Sequence, residues 1–267
     1  MHTSQSPAVR RPAIEVHDLV KRYRGAPASA VDGISFSVPE GQLFCLLGPN
    51  GAGKTTTVAI LTTALVPTSG QVRIAGRDLA AGQAQVRRDI GIVFQQPSLD
   101  LNLTAEENVR IHAVLYGLYP WRPAHRLMPA GYRRAVADLA GLLGLDGSLG
   151  MPVRSLSGGT RRKLEIVRAL LHQPRVLFLD EPTAGLDPGS RRSLWEHLRQ
   201  ARTRAGTTVV LTTHYLEEAE AADAVCVLAR GRIIERGTPA DLKSRYHGAT
   251  LEDAYLQLLG PAGSAEP

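Results

Sequence analysis

The chain has 267 residues, 43% of them hydrophobic and 5% aromatic, with a formal net charge of +6. Such a chain can bury a sizeable core, and its scarcity of aromatic side chains favours an α/β fold over an aromatic-rich β-sandwich. No window offers the roughly 18 uninterrupted apolar residues of a membrane span. Residues 1–16 lack the apolar core of a secretory signal, so we expect a chain that is neither membrane-spanning nor secreted.

The cysteines and arginines bear on the cell compartment and on partners. Cys45 and Cys226 lie inside apolar runs without metal-binding spacing. We therefore expect buried thiols in a chain that is cytosolic or faces the cytosol.

The arginines occur as scattered pairs, which is typical of solvated helix faces. A basic surface that contacts anionic lipid or nucleic acid is the alternative.

The first part of the chain contains short strand-like runs. Residues 1–13 are expected to be disordered. Residues 14–19, 31–38 and 71–75 alternate apolar and polar side chains, as half-exposed antiparallel strands do. Residues 42–47 are more continuously apolar and fit a strand buried in a sheet. The pattern predicts an antiparallel β-subdomain near the N-terminus, beside a buried core strand.

A helical insert is predicted at about 97–165. Thr104 and Glu107 form a capping-box pattern ahead of one helical run. Residues 133–145 place apolar side chains on one side of a second helix. Between them, residues 117–132 hold three prolines and should form a loop. That loop either contacts a partner or is a tolerated surface insertion.

The remainder of the chain alternates strands and helices, as βαβ units do. The predicted elements are a strand at 176–179, a helix at 189–204, a strand at 208–212, a helix at 215–222, and a hairpin of 224–229 and 232–235. A short C-terminal helix and tail should occupy 241–267. This half of the chain therefore predicts a parallel sheet.

Residues 48–55, GPNGAGKT, fit the phosphate-binding pattern G-x-x-x-x-G-K-[ST] and stand between a buried strand and a helix. Glycines let successive backbone N–H groups point into one concavity, and the helix directs its positive end to the same place. Lys54 would reach the β- and γ-phosphates, and the Thr55 hydroxyl would bind Mg²⁺. The expected ATP-binding residues are Gly48, Pro49, Asn50, Gly51, Ala52, Gly53, Lys54, Thr55 and Thr56.

Two carboxylates follow the apolar run 176–179. Asp180, at the end of a strand, can complete the Mg²⁺ shell that Thr55 begins. Glu181 can polarise a water molecule for in-line attack on the γ-phosphate. These residues predict an ATPase site with ATP and Mg²⁺ as its cofactors.

Several stretches together resemble the ATP-binding subunit of ABC transporters. Residues 156–160, LSGGT, look like the ABC signature and follow the phosphate loop in the family's order. The strings GPNGAGKTTT, FQQPSLD and THYLEEAE are most similar to exporter ATPases of the daunorubicin drug-resistance group. The resemblance covers residues 14–240. It implies the ABC ATPase fold: a P-loop NTPase core with an antiparallel β-subdomain and an inserted α-helical subdomain.

The resemblance also implies roles for single residues. Gln95 would contact the metal and link ATP to the helical insert, His214 would hydrogen-bond the γ-phosphate, and Tyr23 would stack on adenine. Thr160 stands where many members have glutamine, but the neighbouring Ser-Gly-Gly is intact, so activity is expected. The implied catalytic residues are Lys54, Gln95, Glu181 and His214, and further ATP contacts come from Ser157, Gly158, Gly159 and the D-loop residue Asp187.

In this family the signature of one subunit closes on the γ-phosphate that the other subunit holds. Two ATP molecules are then buried in a head-to-tail dimer. The resemblance thus implies a second ATPase subunit, identical or homologous, and a separate membrane permease. It places this chain at the cytoplasmic face of the cell membrane.

Four functions can be compared on these grounds. We expect efflux of a drug or other hydrophobic compound, with export of a lipid, polysaccharide or haem as the second possibility. A soluble ABC ATPase acting on nucleic acid or ribosomes is favoured only by the positive net charge, so no nucleic-acid partner is expected. A P-loop kinase or GTPase is excluded by the signature and by the lack of a guanine-reading N-K-x-D string.

Overall fold

A computed structural model describes residues 11–96 and 98–259. Its strands are β1 Pro12–Lys21, β2 Val31–Pro39, β3 Leu43–Leu47, β4 Ser69–Ile74, β5 Arg77–Asp78, β6 Ile90–Val93, β7 Val176–Asp180, β8 Thr208–Thr213, β9 Ala224–Ala229 and β10 Arg232–Gly237. Its α-helices are α1 Lys54–Leu61, α2 Gln83–Asp89, α3 Ala105–Leu115, α4 Ala130–Leu142, α5 Gly158–Leu170, α6 Pro188–Ala205, α7 Leu216–Glu220, α8 Pro239–Arg245 and α9 Leu251–Leu259. None of these helices is both long and apolar enough to cross a membrane.

A six-stranded sheet in the order β10-β9-β3-β8-β7-β6 crosses the centre of the molecule. Strands β9, β3, β8, β7 and β6 run parallel, and β10 returns antiparallel to β9. Every residue of β3, β7 and β8 is buried, as expected of parallel strands covered on both faces. The carboxyl ends of these strands meet along one edge, so polar residues that follow them are brought together.

The sheet divides the hydrophobic core into two clusters. Leu43, Cys45 and Leu47 of β3 join a cluster that contains residues of α3, α4, α5 and α6. Phe44 and Leu46 join the other cluster, which contains residues of α1, α2 and the antiparallel strands. This division follows from the period of two in a strand, which sends successive side chains to opposite faces.

The predicted antiparallel β-subdomain is a four-stranded sheet in the order β2-β1-β4-β5. Ile34, Phe36 and Val38 of β2 are buried, whereas the serines between them are exposed. The Phe36 ring stacks on the Phe44 ring of the central sheet at 5.3 Å between centroids. The predicted alternation therefore describes a sheet with one face packed on the core and one face in solvent.

The predicted helical insert contains α3, α4 and most of α5. The Thr104 hydroxyl accepts the Glu107 N–H at 3.2 Å, and the Glu107 carboxylate accepts the Thr104 N–H at 2.9 Å. The capping box expected from the sequence is therefore present. Tyr132 of α4 is fully buried, and its hydroxyl donates to the Glu106 carboxylate of α3 at 2.9 Å.

Several boundaries differ from expectation, and two of them concern segments predicted to be without regular structure. Pro12 and Ala13 belong to β1, where Pro12 pairs with Pro39, so the expected disordered N-terminus of 1–13 is wrong at these two residues. Helix α4 begins at Ala130 rather than at residue 133, so the end of the predicted loop 117–132 is helical. The three prolines of this segment suggested a loop, but Tyr132 packs into the core from the first turn of α4.

Among the strands and α-helices of residues 11–96 and 98–259, β5, α2, β6 and α8 were not predicted. Strand β6 has four residues and includes Gly91, which weakens any strand signal. The expected C-terminal helix is present as α9, and both cysteines are buried and free. The rest of the expected N-terminal segment and tail, residues 1–10 and 260–267, lies outside the described residues.

The capping box gives a first prediction. Thr104→Ala should lower the free energy of unfolding by about 1 kcal/mol, because the N–H of Glu107 loses its acceptor. Thr104→Ser keeps the hydroxyl and is the matched control. Urea denaturation of both variants measures the difference, and equal midpoints for the alanine variant and the unmodified chain would contradict this account of the helix start.

Candidate active site

The phosphate loop joins β3 to α1 at the carboxyl edge of the central sheet. Helix α1 begins at Lys54, and its N-cap Gly53 provides no side-chain cap. The first N–H groups of the helix therefore lack an intrahelical partner and can bind an anion. They open onto a cavity of about 310 Å³. The lining residues are Ala30, Asn50, Gly51, Ala52, Gly53, Lys54, Thr55, Thr56, Gln95 and Glu181.

At two positions of the loop only glycine fits, because another segment of the backbone lies very close. At Gly53 the φ angle is 102°, and an added Cβ would lie 2.4 Å from the Ala30 carbonyl oxygen. At Gly48 an added Cβ would lie 2.3 Å from the Leu228 carbonyl oxygen. The loop is therefore held against Ala30, which precedes β2, and against β9, and only glycine fits at these two positions.

Lys54 is buried and lies against the loop that precedes it. Its ammonium donates to the Gly48 carbonyl at 2.7 Å and to the Pro49 carbonyl at 3.0 Å. Burial lowers the pKa of the Lys54 ammonium, and the carboxylates of Glu181 and Asp180 oppose this shift. A bound phosphate would add negative charge next to the same ammonium, which favours its charged form.

Asp180 ends β7 and is buried. The Thr212 hydroxyl of β8 donates to its carboxylate, and burial raises the pKa of Asp180. The same threonine accepts the backbone N–H of Glu181, with 3.1 Å to its carbonyl oxygen and 3.2 Å to its hydroxyl. Thr212 thus fixes both acidic residues of this strand end.

The Glu181 carboxylate is held at both oxygens. Gln95, which follows β6, donates its amide N–H to Oε2 at 2.9 Å. The Nδ1 atom of His214, which follows β8, lies 3.3 Å from Oε1. Glu181 itself has a φ of 46°, a left-handed conformation that is uncommon outside glycine. The structure therefore brings three of the predicted catalytic residues into contact, with Lys54 lining the same cavity as Gln95 and Glu181.

Tyr23 lies at the outer side of this site. Tyr23 is 45% exposed, and its hydroxyl is 3.5 Å from the Thr56 hydroxyl at the start of α1. The Lys21 ammonium lies over this ring, 5.6 Å from its centroid. A partly exposed ring beside the phosphate loop is compatible with the predicted adenine contact.

The signature residues do not line this cavity. Ser157 caps α5 by accepting the Thr160 N–H at 3.1 Å, and both Ser157 and Gly158 are exposed. An added Cβ at Gly159 would lie 2.8 Å from the Ser190 hydroxyl of α6. Asp187 caps α6 by accepting the Ser190 N–H at 3.0 Å. Hydrogen bonding to the side chain and then to the backbone of Ser190 lowers the pKa of Asp187. These residues therefore lie at the N-termini of two further helices, α5 and α6, separate from the phosphate loop of the same chain.

A sequence profile described as "ABC transporter" matches residues 31–184. The chain belongs to the ABC transporter family. It is 40% identical to Nod factor export ATP-binding protein I of Ralstonia nicotianae, over 91% of this chain and 73% of that protein. It is 43% identical to the daunorubicin/doxorubicin resistance ATP-binding protein DrrA of Streptomyces peucetius, over 87% of this chain and 67% of that protein.

A solved structure of an ATP-binding cassette, a dimer in a post-hydrolysis state bound to ADP and phosphate, is also similar. The TM-score is 0.72 at 27% identity, over 84% of this chain and 98% of that one. The predicted ABC ATPase fold and the resemblance to drug-resistance exporter ATPases are thus confirmed. This ABC ATPase binds ATP and couples its hydrolysis to transport.

Sequence reasoning missed three residues of the ABC ATPase site. Ala30 limits the side chain at position 53. Thr212 contacts the Asp180 carboxylate and the backbone N–H of Glu181, and Arg162 donates to the backbone that carries Glu181. None belongs to a local pattern, because each acts on a segment that is distant along the chain.

The close approach at Gly53 gives a second prediction. Gly53→Ala should weaken ATP binding at least about tenfold, because the new methyl group would displace the loop from the Ala30 carbonyl. Gly51→Ala is the matched control: its φ is also positive, at 75°, but no atom lies within 4 Å of an added Cβ. Titration with a fluorescent ATP analogue measures both. Unchanged affinity in the Gly53 variant would rule out the steric explanation.

Proposed function

We propose that this ABC ATPase drives export of a drug or another hydrophobic compound through a separate membrane permease. The similarity to the daunorubicin/doxorubicin resistance protein supports this substrate class. One observation carries the hydrolytic part of the proposal: the Glu181 carboxylate is held between Gln95 and His214, and it lines the cavity formed by the phosphate loop.

The residues suggest how hydrolysis proceeds. The Lys54 ammonium exchanges the Gly48 and Pro49 carbonyls for oxygens of the β- and γ-phosphates, and the N–H groups of the loop and α1 bind the rest. Glu181 accepts a proton from a water molecule in line with the γ-phosphate, while Gln95 and His214 keep its two oxygens oriented.

The residues present fit Mg²⁺ that enters with ATP. In the described part of the chain, no group of three or more His, Cys, Asp or Glu side chains could hold a metal ion. Mg²⁺ commonly takes one or two protein carboxylates and completes its shell with phosphates and water. We assign it to Asp180, the Thr55 hydroxyl and Gln95, where it would neutralise charge that develops on the phosphates. A cation there would also favour the ionised form of Asp180, which burial disfavours.

A second ATPase subunit completes the site. Ser157 and Gly158 are exposed and do not line the cavity that holds Lys54, so they are available to the γ-phosphate bound by another subunit. The similar cassette structure is dimeric and holds ADP and phosphate. We therefore propose a head-to-tail dimer of two identical chains, with Ser157, Gly158, Gly159 and Asp187 contacting the partner's nucleotide.

The proposed location is the cytoplasmic face of the cell membrane, beneath the permease. Export of a lipid, polysaccharide or haem is the second candidate, and the relative named for Nod factor export supports cargo other than drugs.

Action on nucleic acid is disfavoured because several surface arginines form ion pairs instead of one basic patch. Examples are the pairs Arg77–Asp89, Arg202–Asp223, Arg232–Asp32 and Arg245–Glu235.

The dimer gives a third prediction. Glu181→Gln should lower the rate of ATP hydrolysis at least about 10²-fold, because the amide cannot accept the proton, while ATP still binds. The variant should then accumulate as an ATP-dependent dimer in size-exclusion chromatography. A Glu181→Gln chain that hydrolyses ATP at the normal rate would remove Glu181 from the mechanism.

Two further substitutions serve as controls for that dimer. Ser157→Arg, added to Glu181→Gln, should return the chain to a monomer that still binds ATP, because the long side chain blocks the exposed signature. Lys54→Ala should abolish hydrolysis and leave a monomer that binds ATP poorly. A dimer that forms equally in all three variants, or without ATP, would contradict the proposed sandwich.

The permease gives a fourth prediction. The chain should purify from gently solubilised membranes together with a polytopic membrane protein, which mass spectrometry identifies. ATP hydrolysis by that complex should be stimulated by the transported hydrophobic compound. Recovery only in the soluble fraction, with ribosomes or nucleic acid attached, would overturn the transport proposal and favour the soluble alternative.

A further inference from the structure

Helix α5 carries the signature at its first residues and a buried arginine one turn later. Arg162 is 7% exposed. Its guanidinium donates to the carbonyls of Asp180 at 3.1 Å, Glu181 at 3.0 Å and Pro182 at 2.8 Å. It also donates to the Phe94 carbonyl, on the segment that carries Gln95. One side chain therefore joins α5 to the segments that carry two of the catalytic residues.

Glu165 completes this contact from the next turn of α5. It is 1% exposed, and its Oε2 accepts from Arg162 at 3.0 Å. Its Oε1 accepts the backbone N–H of Ser98 at 2.8 Å. Phe94 and Ser98 stand on either side of Gln95 in the chain, so the ion pair fixes that segment at two points.

The chemistry of the Arg162–Glu165 ion pair is better suited to positioning the catalytic residues than to stabilising the fold. Removing two charges from water costs free energy that their attraction only partly returns, so a buried ion pair is weak evidence for stabilisation. The arginine fork, with five N–H donors in one plane, can serve several carbonyls at once, and the lysine ammonium cannot reproduce it. Here all three nitrogens of Arg162 are used on backbone of the catalytic edge or on Glu165.

We propose that Arg162, supported by Glu165, is a positioning residue that couples the signature to the catalytic carboxylate of the same chain. The exposed Ser157 and Gly158 at the start of α5 close on the partner's ATP. The Arg162 fork transmits the resulting position of α5 to Glu181 and Gln95, which act on the ATP of their own chain. The two ATP sites of the dimer are thereby linked through each α5, an inference that rests on the proposed dimeric function.

The test compares Arg162→Lys with Arg161→Lys. Arg161 is the neighbouring residue of α5, but it donates to the Val153 and Arg154 carbonyls, away from the catalytic edge. In Arg162→Lys, kcat for ATP hydrolysis should fall about tenfold or more through misplacement of the catalytic groups, while KM, the affinity for an ATP analogue and the melting temperature stay near those of the unmodified chain. Arg161→Lys should keep kcat.

A double-mutant cycle separates positioning from a structural role. Because Arg162 acts in part through the Gln95 segment, its replacement should lower kcat less in a Gln95→Ala chain than in the unmodified one. If the two effects on kcat multiply independently, or if kcat in Arg162→Lys equals that in Arg161→Lys, the proposal is wrong. A parallel loss of ATP-analogue affinity and melting temperature would show a merely structural role, and it would equally overturn the proposal.

A second variant keeps the test decisive if Arg162→Lys does not fold. Glu165→Gln retains an oxygen for the Ser98 N–H but removes the charge that orients the guanidinium, so kcat should fall severalfold with KM unchanged. Normal kcat in that variant would also refute the coupling. Failure of the proposed function would be seen in a different measurement: the unmodified chain would then show no hydrolysis that depends on Glu181.

Discussion

The active site depends on one constraint: the parallel strands β3, β8, β7 and β6 end close to one another along the same edge of the sheet. Leu47 of β3 is in register with Thr213 of β8, Leu211 of β8 with Leu179 of β7, and Leu179 with Val93 of β6. Each strand is followed at that edge by a functional group: the phosphate loop, His214, Glu181 or Gln95. The burial of β3, β7 and β8 on both faces leaves the strands little freedom to slip, because a shift of one residue would move each side chain into the opposite core cluster, which is packed around side chains of other shapes.

Buried charge is concentrated at this edge. Lys54, Asp180, Glu181, Arg162 and Glu165 are all at most 9% exposed, and each contacts another polar group. Such an arrangement is costly to desolvate and contributes little net stability. Its advantage lies in fixed dipoles and charges that need no rearrangement when charge develops on the phosphates. The edge is thus organised for chemistry, while the aliphatic clusters on either side of the sheet supply the stability.

The sequence predicted those parts of the site whose chemistry requires a local order of residues. The phosphate loop, the strand that ends in Asp180 and the capping box at Thr104 are short patterns set by backbone geometry. Arg162 and Ala30 could not be predicted, because their importance arises where distant segments approach. Strand β6 was missed because its four residues, one of them glycine, carry no periodic signal. The family resemblance supplied Gln95 and His214, which the patterns alone left as ordinary polar residues.

The contact of the Lys54 ammonium with the Gly48 and Pro49 carbonyls has a consequence for ligand discrimination. The Lys54 ammonium has two backbone acceptors, so a ligand that binds this ammonium must replace them. A small monovalent anion could occupy the N–H groups of the loop but offers too few oxygens to compensate for both lost carbonyls. A polyphosphate offers oxygens to the loop and to the ammonium together. The loop thus disfavours simple monovalent anions, because its own carbonyls compete with them for the Lys54 ammonium.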